Sequence, residues 1–327
     1  MVRLTLRHST KPLIVAGHGI RIANAQEELM RVLDLYYPVV TTFNGFDLVP
    51  NDHPSFVGRI GTVGTYGGNY ALNNCDLLIC IGTRNNIRQV SYNWKSFAPQ
   101  AKKIIVDIDS AELFKKTVEG EIMRQDAREF LEDFPDIGQD RRWVKSLRTY
   151  NLEHDIELTP PYKFIRELTA DLPEGAVVVC GNGTACVAMF QAGIVKRGQR
   201  IFWNSGCASM GYALPAAIGA CFATGKEVIC ITGDGSIMMN LQELQTIKHY
   251  KLPIKIYVLN NNGYRSLELT QLKYFDGDFI GCNKDSGVSF PDFKKLGEVF
   301  GVDITVVDIG NEYVFAPKFT DSLTEAK

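Results

Sequence analysis

The stretch that most constrains this chain is residues 228–264, VICITGDGSIMMNLQELQTIKHYKLPIKIYVLNNNGY. Val228 to Thr232 is a short apolar run rich in β-branched residues and ends in Gly233-Asp234-Gly235-Ser236, the pattern of a buried parallel strand that delivers Asp234 to its carboxyl end. Met239, Leu241, Leu244, Ile247 and Lys248 then fall near helical spacing until Leu252-Pro253 stops the helix. Ile254 to Leu259 gives a second buried strand, ending in Asn260-Asn261-Asn262-Gly263. One strand-helix-strand crossover therefore predicts Asp234 and Asn261 side by side, at the edge where open α/β sheets take ligands.

A carboxylate, a carboxamide and turn backbone at adjacent strand tips are oxygen donors of the kind Mg²⁺ takes, with the other octahedral positions left to phosphate oxygens and water. The glycines at 233 and 235 let the chain come close to a diphosphate, and the amides of Gly235 and Ser236 stand at a helix start where they can donate to it. Taken singly, Asp-Gly and Asn-Gly are ordinary tight turns. Metal-type oxygens at both ends of one crossover, with a phosphate-type turn at the first, point instead to a diphosphate with its metal. The chain has no Gly-Lys-Ser/Thr of a P-loop and no Asp-rich calcium loop with a closing Glu.

At these residues the sequence resembles the thiamine diphosphate (ThDP) enzymes, whose signature is GDG, a spacer of one βαβ unit, then NN. It is most similar to the acetolactate synthase branch. The resemblance implies that Asp234 and Asn261 are side-chain Mg²⁺ ligands and Gly263 a backbone carbonyl ligand. It further implies cofactor contacts from Gly181, Asn182, Gly183, Ser209, Gly233, Gly235, Ser236 and Tyr264. Met210, the large apolar residue of the small-residue loop 205–220, is implied to be the wedge that bends the cofactor into its V conformation; the plainer alternative is a gap-filling core methionine.

The expected fold class is α/β, with two doubly wound parallel-sheet domains, residues 1–150 and 160–327, the second shortened near its end. In the first, Pro12 to Ala16 reads as a strand running into Gly17-His18-Gly19, with Ile20, Ile22, Ala25, Leu29, Val32 and Leu33 on the following helix and Val39 to Thr42 as the next strand. A simple NAD site is disfavoured, because the third glycine position of GxGxxG holds Ile22 and the second strand ends without an acid. His18 reads as a turn residue. Residues 58–86 alternate a Gly-rich loop, a short helix, a strand at Leu77 to Ile81 and the tip Gly82-Thr83-Arg84, and Ile104 to Val106 ends at Asp107. This resembles the central domain of the acetolactate synthase group, which implies that Gly17, Gly19, Thr41, Gly61, Gly64, Gly82, Thr83, Arg84 and Asp107 line an FAD. The alternative is the same domain without flavin, since Arg84-Asn85-Asn86-Ile87-Arg88 stands where the family commonly has Arg-Phe-Asp-Asp-Arg.

Residues 120–160 are charged and weakly periodic, and read as surface helices and a linker. In the second domain a helix over Tyr162 to Ala170 precedes strands at Ala176 to Cys180 and Ile201 to Asn204. Near the end, the chain is expected to pass from Gly301-Val302-Asp303 almost directly to Val306-Val307-Asp308 and the tail Tyr313 to Lys318, leaving the last sheet edge unpaired.

With 35 basic and 37 acidic residues the net charge is 35 − 37 = −2, and no basic run tracks a nucleic acid. The eight cysteines form no CxxC pair and read as small core residues of a reduced compartment rather than a disulfide framework. No apolar run reaches membrane-spanning length, so a cytoplasmic protein is expected.

The resemblance implies a 2-oxo acid decarboxylase and carboligase that transfers the acyl group of pyruvate to an acceptor, working as a homo-oligomer. Alternatives are a simple 2-oxo acid decarboxylase, a keto-sugar acyl transferase, or a non-catalytic nucleotide-binding subunit. The loop from Tyr264 to Thr270 lacks the glycine, methionine and tryptophan typical of strict acetohydroxyacid synthases. No residue matches the pyrimidine-binding domain or the glutamate that the family needs, so that domain is expected from a partner chain or a missing segment.

Overall fold

Short β-branched runs become parallel strands in both halves of the chain. The computed structural model describes residues 2–310, which fall into two units, the first running to Ile156 and the second starting at Glu157. The first holds β1 (Pro12–Ala16), β2 (Val39–Thr41), β3 (Phe56–Arg59), β4 (Leu77–Ile81), β5 (Lys102–Asp107) and β6 (Glu121–Arg124). They form one all-parallel sheet in the order β3-β2-β1-β4-β5-β6. Side chains alternate across it. Ile14, Ala16, Ile79, Ile81 and Val106 pack with Leu29, Leu33, Phe130 and Leu131 on one face, while Leu13, Val15, Leu78, Cys80 and Ile105 pack with Leu72, Val144 and Leu147 on the other. Each such leucine or phenylalanine contributes about 1.5–3 kcal/mol by leaving water.

Three expectations change here. Residues 120–160 are not mainly linker: they supply the edge strand β6 and the helices Ala127–Glu132 and Arg141–Glu153, which bury Phe130, Leu131, Val144 and Leu147 in the two cores. The helix expected from Ile20 to Leu33 is two helices, Gly19–Ile22 and Gln26–Leu33, broken where Asn24 takes a left-handed backbone (φ 51°), and Ile22 is left facing solvent. Strand β3 lies in what reads as Gly-rich loop.

The second unit holds β7 (Val177–Cys180), β8 (Arg200–Trp203), β9 (Val228–Gly233), β10 (Ile254–Asn260) and β11 (Asp303–Asp308), all parallel in the order β11-β10-β9-β7-β8. Val177, Val179, Val228, Cys230, Ile256 and Val258 form its core with Leu214, Ala217, Leu244, Ile247 and Phe293. The expected crossover is present, but its helical run changes from α-helix at Asp234–Ile237 to a 3₁₀ turn at Met238–Asn240 before the helix Glu243–Tyr250. The short run after Gly301 is itself a strand: Asp303–Asp308 pairs along β10 in register and forms an edge of the sheet. The tail Tyr313 to Lys318 lies outside the described residues.

In both sheets the strand order reverses next to the first strand, between β1 and β4 and between β7 and β9, and such switch points are where open sheets bind ligands. All eight cysteines are free; seven are buried, and Cys207, in the loop after β8, is exposed. Among the described residues no helix is long and apolar enough to cross a membrane.

Candidate functional site

The β9 tip delivers Asp234 into the fold: only 3% of the residue is exposed. Burial pushes its carboxyl above the usual carboxylate range, opposed by the backbone amides of Gly235, Asn261, Gly263 and Asn262, which favour the charged form. Gly235 donates to Asp234 Oδ1 at 2.6 Å, and Asn261 and Gly263 donate to Oδ2 at 3.0 and 3.3 Å. The β10 tip is thus wrapped around the carboxylate. The terminal atom that the Asn261 amide turns inward sits 3.3 Å from Asp234 Oδ2 and 2.8 Å from the Gly263 carbonyl oxygen. With nitrogen inward it donates to both; with oxygen inward, three oxygens meet with no proton between them.

Adjacent ligands of an octahedral Mg²⁺, each 2.0–2.1 Å from the ion, lie about 2.9 Å apart. The 2.8 and 3.3 Å separations around Asn261 bracket that value, so the donor set of Asp234, Asn261 and Gly263 fits a hard divalent cation. Among the described residues no group of three His, Cys, Asp or Glu side chains could hold a metal.

Beside it, the β7 and β9 tips leave open space. A Cβ added to Gly183, Gly206 or Gly233 would meet nothing within 4 Å, and one at Gly181 would make ordinary contacts at 3.4–3.5 Å. The Asn182 Oδ1 at the same tip is buried and has no hydrogen-bond partner. A cradle of open glycines with an unpartnered polar atom is the kind of place a polar ligand fills. Gly235 is different, since a Cβ there would lie 2.1 Å from the Tyr264 ring, which packs over it.

Met210 is half-buried on the loop after β8. That loop is tied to the segment following Asp234: Gly211 N donates to Ser236 Oγ at 3.1 Å, and Asn240 Nδ2 donates to the Gly211 carbonyl at 2.8 Å. The Ser236 hydroxyl thus accepts within the fold, while the expectation for this residue concerned its backbone amide. Ser209 is exposed on the same loop, with Asn204 Nδ2 at 3.5 Å from its hydroxyl. The role of Asn240 had no signal in the sequence, because a lone Asn in a helical run reads as a solvated residue.

The nine residues expected around a flavin do gather at the carboxyl ends of β1 to β5, but most are engaged by neighbours within the first unit. Gly17 N donates to Ile81 O at 2.9 Å and Gly19 N to Gly82 O at 3.0 Å. A Cβ at Gly17, Gly61 or Gly64 would lie 2.1, 2.4 or 2.6 Å from a backbone oxygen, and one at Gly19 or Gly82 would lie 2.6 Å from the other's Cα. Thr83 Oγ1 donates to Asn85 Oδ1 at 2.8 Å, Arg84 pairs with Glu112 at 2.9 Å, and Asp107 Oδ1 accepts from Asp109 N at 3.0 Å. Only the buried Thr41 hydroxyl among these nine is left without a partner.

Two family models match the chain: the thiamine pyrophosphate enzyme central domain over residues 3–134 and the C-terminal TPP-binding domain over residues 181–326. A probable acetolactate synthase large subunit of Methanocaldococcus jannaschii is 33% identical over 320 residues, covering 91% of this chain and 53% of its own length. The acetolactate synthase large subunit of Cyanidium caldarium is 32% identical over 315 residues, 91% of this chain and 53% of its own. The isozyme 2 large subunit of Escherichia coli is 31% identical over 308 residues, 92% of this chain and 56% of its own. The chain spans about half the length of the curated relatives it matches. Because the two domain models between them account for both units, the chain belongs to the thiamine pyrophosphate enzyme family.

Proposed function

We propose that the second unit holds ThDP by its diphosphate, with Mg²⁺ between that diphosphate and Asp234, Asn261 and Gly263, and that the protein acts on a 2-oxo acid such as pyruvate as an acetolactate synthase-like decarboxylase and carboligase. The observation that carries this is the convergence of the Asp234 carboxylate, the Asn261 carboxamide and the Gly263 carbonyl beside an open cradle, on a chain whose curated relatives are named acetolactate synthases. ThDP, when bound, supplies the electron sink into which a 2-oxo acid loses CO₂. The protein's part is to bind and to orient. The backbone amides around Gly183 and Gly233 receive the diphosphate, the unpartnered Asn182 Oδ1 is left to accept from a donor group of the ligand, the tethered loop presents Met210 as the wedge, and the Tyr264 ring closes over Gly235. Asp234, pushed toward neutrality by burial, is held charged by the cation it ligates.

The proposal does not extend to FAD. Of the glycines expected to cradle it, Gly17, Gly19 and Gly82 pack between the β1 and β4 tips, and Gly61 and Gly64 pack against the backbone of Arg88 and Arg59.

A pyrimidine-binding domain with its glutamate, from another chain or segment, completes the site, and the working form is an oligomer. The helix Arg265–Tyr274 next to the metal loop buries none of its residues, and Leu272, Tyr274, Phe275 and Ile280 stand exposed as a surface for such a domain. The test is CO₂ release from pyruvate. Residues 1–327 alone should fall short of the complemented protein by about the 10²–10⁴-fold that a positioned proton-transfer group is worth. Adding a polypeptide that carries a pyrimidine-binding domain should restore turnover, and replacing its glutamate should remove it again. Full turnover by residues 1–327 alone would contradict the proposal.

A further inference from the structure

Behind the metal loop lies a hydrogen-bonded turn that the proposed chemistry does not use. Glu268, on the helix Arg265–Tyr274, keeps only 14% of its side chain exposed and reaches two partners: Arg265 Nη1 at 2.7 Å from Oε2, and Asn283 Nδ2, which donates to Oε1 at 2.7 Å. Burial alone would push the Glu268 carboxyl up, but these two partners hold it below the usual range. Asn283 begins a closed turn. The Ser286 hydroxyl accepts from Cys282 N at 3.0 Å and Asn283 N at 2.9 Å and donates to Asn283 Oδ1 at 2.8 Å, while Ser286 N donates to Asn283 Oδ1 at 3.0 Å. Gln271, one helical turn on from Glu268, holds Ile280 by both backbone groups, at 2.9 and 3.0 Å.

That turn ends on one bond. The Cys282 carbonyl, in a fully buried residue, accepts from Tyr264 N at 2.7 Å. The amide of Tyr264 and the carbonyl of Gly263 belong to the same peptide plane, and in a planar trans peptide they point in opposite directions. Fixing the N–H on Cys282 therefore aims the Gly263 oxygen the other way, where it lies 2.8 Å from the Asn261 amide and in the metal cluster. The packing here is close, since a Cβ on Gly263 would come within 2.7 Å of the Cys282 oxygen.

We infer that Glu268 is a positioning residue for the metal, acting through Asn283 and the Cys282 carbonyl to orient the Gly263 backbone ligand. The inference rests on the metal assignment proposed above. Groups one shell out from a metal set ligand direction, and losing one typically weakens metal affinity about 10–100-fold.

The experiment measures the Mg²⁺ concentration that gives half-maximal ThDP binding by the full chain, together with the melting temperature of the metal-free protein. Glu268→Ala should raise that concentration roughly 10–100-fold. Glu268→Gln, whose carbonyl still accepts from Asn283, should recover most of the loss. Asn283→Ala should match Glu268→Ala, and the double variant should be no worse than either single one, because both break the same brace; Asn283→Ala also carries the test if Glu268→Ala fails to fold. A lower melting temperature with an unchanged Mg²⁺ requirement in both single variants would overturn the inference and make Glu268 merely structural. Asp234→Ala separates the two levels. If it abolishes Mg²⁺-dependent binding while the Glu268 and Asn283 variants behave as wild type, the brace is refuted and the metal site stands; if Asp234→Ala also binds normally, the metal site itself is refuted.

Discussion

The two sheets of this protein each reverse their strand order beside the first strand, and at both points the turns are rich in glycine, yet the glycines do opposite things. Between β1 and β4 the tips lean on each other: Gly19 donates to Gly82, and a Cβ on Gly17 would sit 2.1 Å from the Gly82 oxygen. Between β7 and β9 a Cβ on Gly183 or Gly233 would meet nothing within 4 Å. A glycine-rich strand tip is compatible with either role. What separates them is whether the space left by the missing side chain is filled by the protein's own backbone or kept clear; each has a buried, unpartnered side-chain oxygen, Thr41 Oγ1 at the filled tips and Asn182 Oδ1 at the clear ones.

This difference can be broken by putting a methyl group at each tip. Gly17→Ala should have the largest effect. Its Cβ meets Gly82 O at 2.1 Å and Thr83 Cα at 2.5 Å, which are backbone atoms that cannot rotate away, so we expect destabilisation at or beyond the upper end of the ~1–3 kcal/mol typical of overpacking. Chemical denaturation followed by circular dichroism measures it; a stability within about 0.5 kcal/mol of wild type, the range of neutral surface substitutions, would show that this switch point is looser than the contacts imply.

Gly233→Ala should have a smaller and opposite effect on the fold. Gly233 has φ −88° and ψ 158°, which alanine adopts freely, and restricting the unfolded chain there should leave stability unchanged or raised by up to about 1 kcal/mol. Its methyl group would project into the cradle, so ThDP affinity should fall while the melting temperature of the ligand-free protein does not. Undiminished affinity would mean that the open space at β9 is not where the diphosphate lies.

Much of this was readable from residues alone. Strands β1, β4, β9 and β10 are largely apolar runs of five to seven residues that end in Gly or Asn or run directly into Gly, and burial within a parallel sheet favours that pattern. Strand β6 was not readable, because Glu121–Arg124 is a four-residue edge that buries little and sets only two apolar residues between charges. Strand β3 was hidden by Gly58 and Arg59 in its second half. At the β9 and β10 tips one crossover predicts Asp234 beside Asn261, and they do meet, whereas Gly263 was implied by the family resemblance rather than by spacing. Asn240, Glu268, Asn283 and Cys282 were not readable, since their contacts join segments whose approach no local period encodes. The closed β1–β4 tip was likewise invisible, as sequence marks where glycine stands but not what faces it.

The most direct test of the central claim, that the β7–β10 tips hold Mg²⁺ and a diphosphate together, is calorimetric titration of ThDP into wild-type protein and Asp234→Ala, each with Mg²⁺ and with chelator. Wild-type protein with Mg²⁺ should bind, and ThDP at 100 times its Kd should stabilise the fold by about 2.7 kcal/mol. Chelator or Asp234→Ala should abolish both the binding heat and that stabilisation. Equal ThDP affinity in all four titrations would contradict the assignment of Asp234, Asn261 and Gly263 as the metal's ligands.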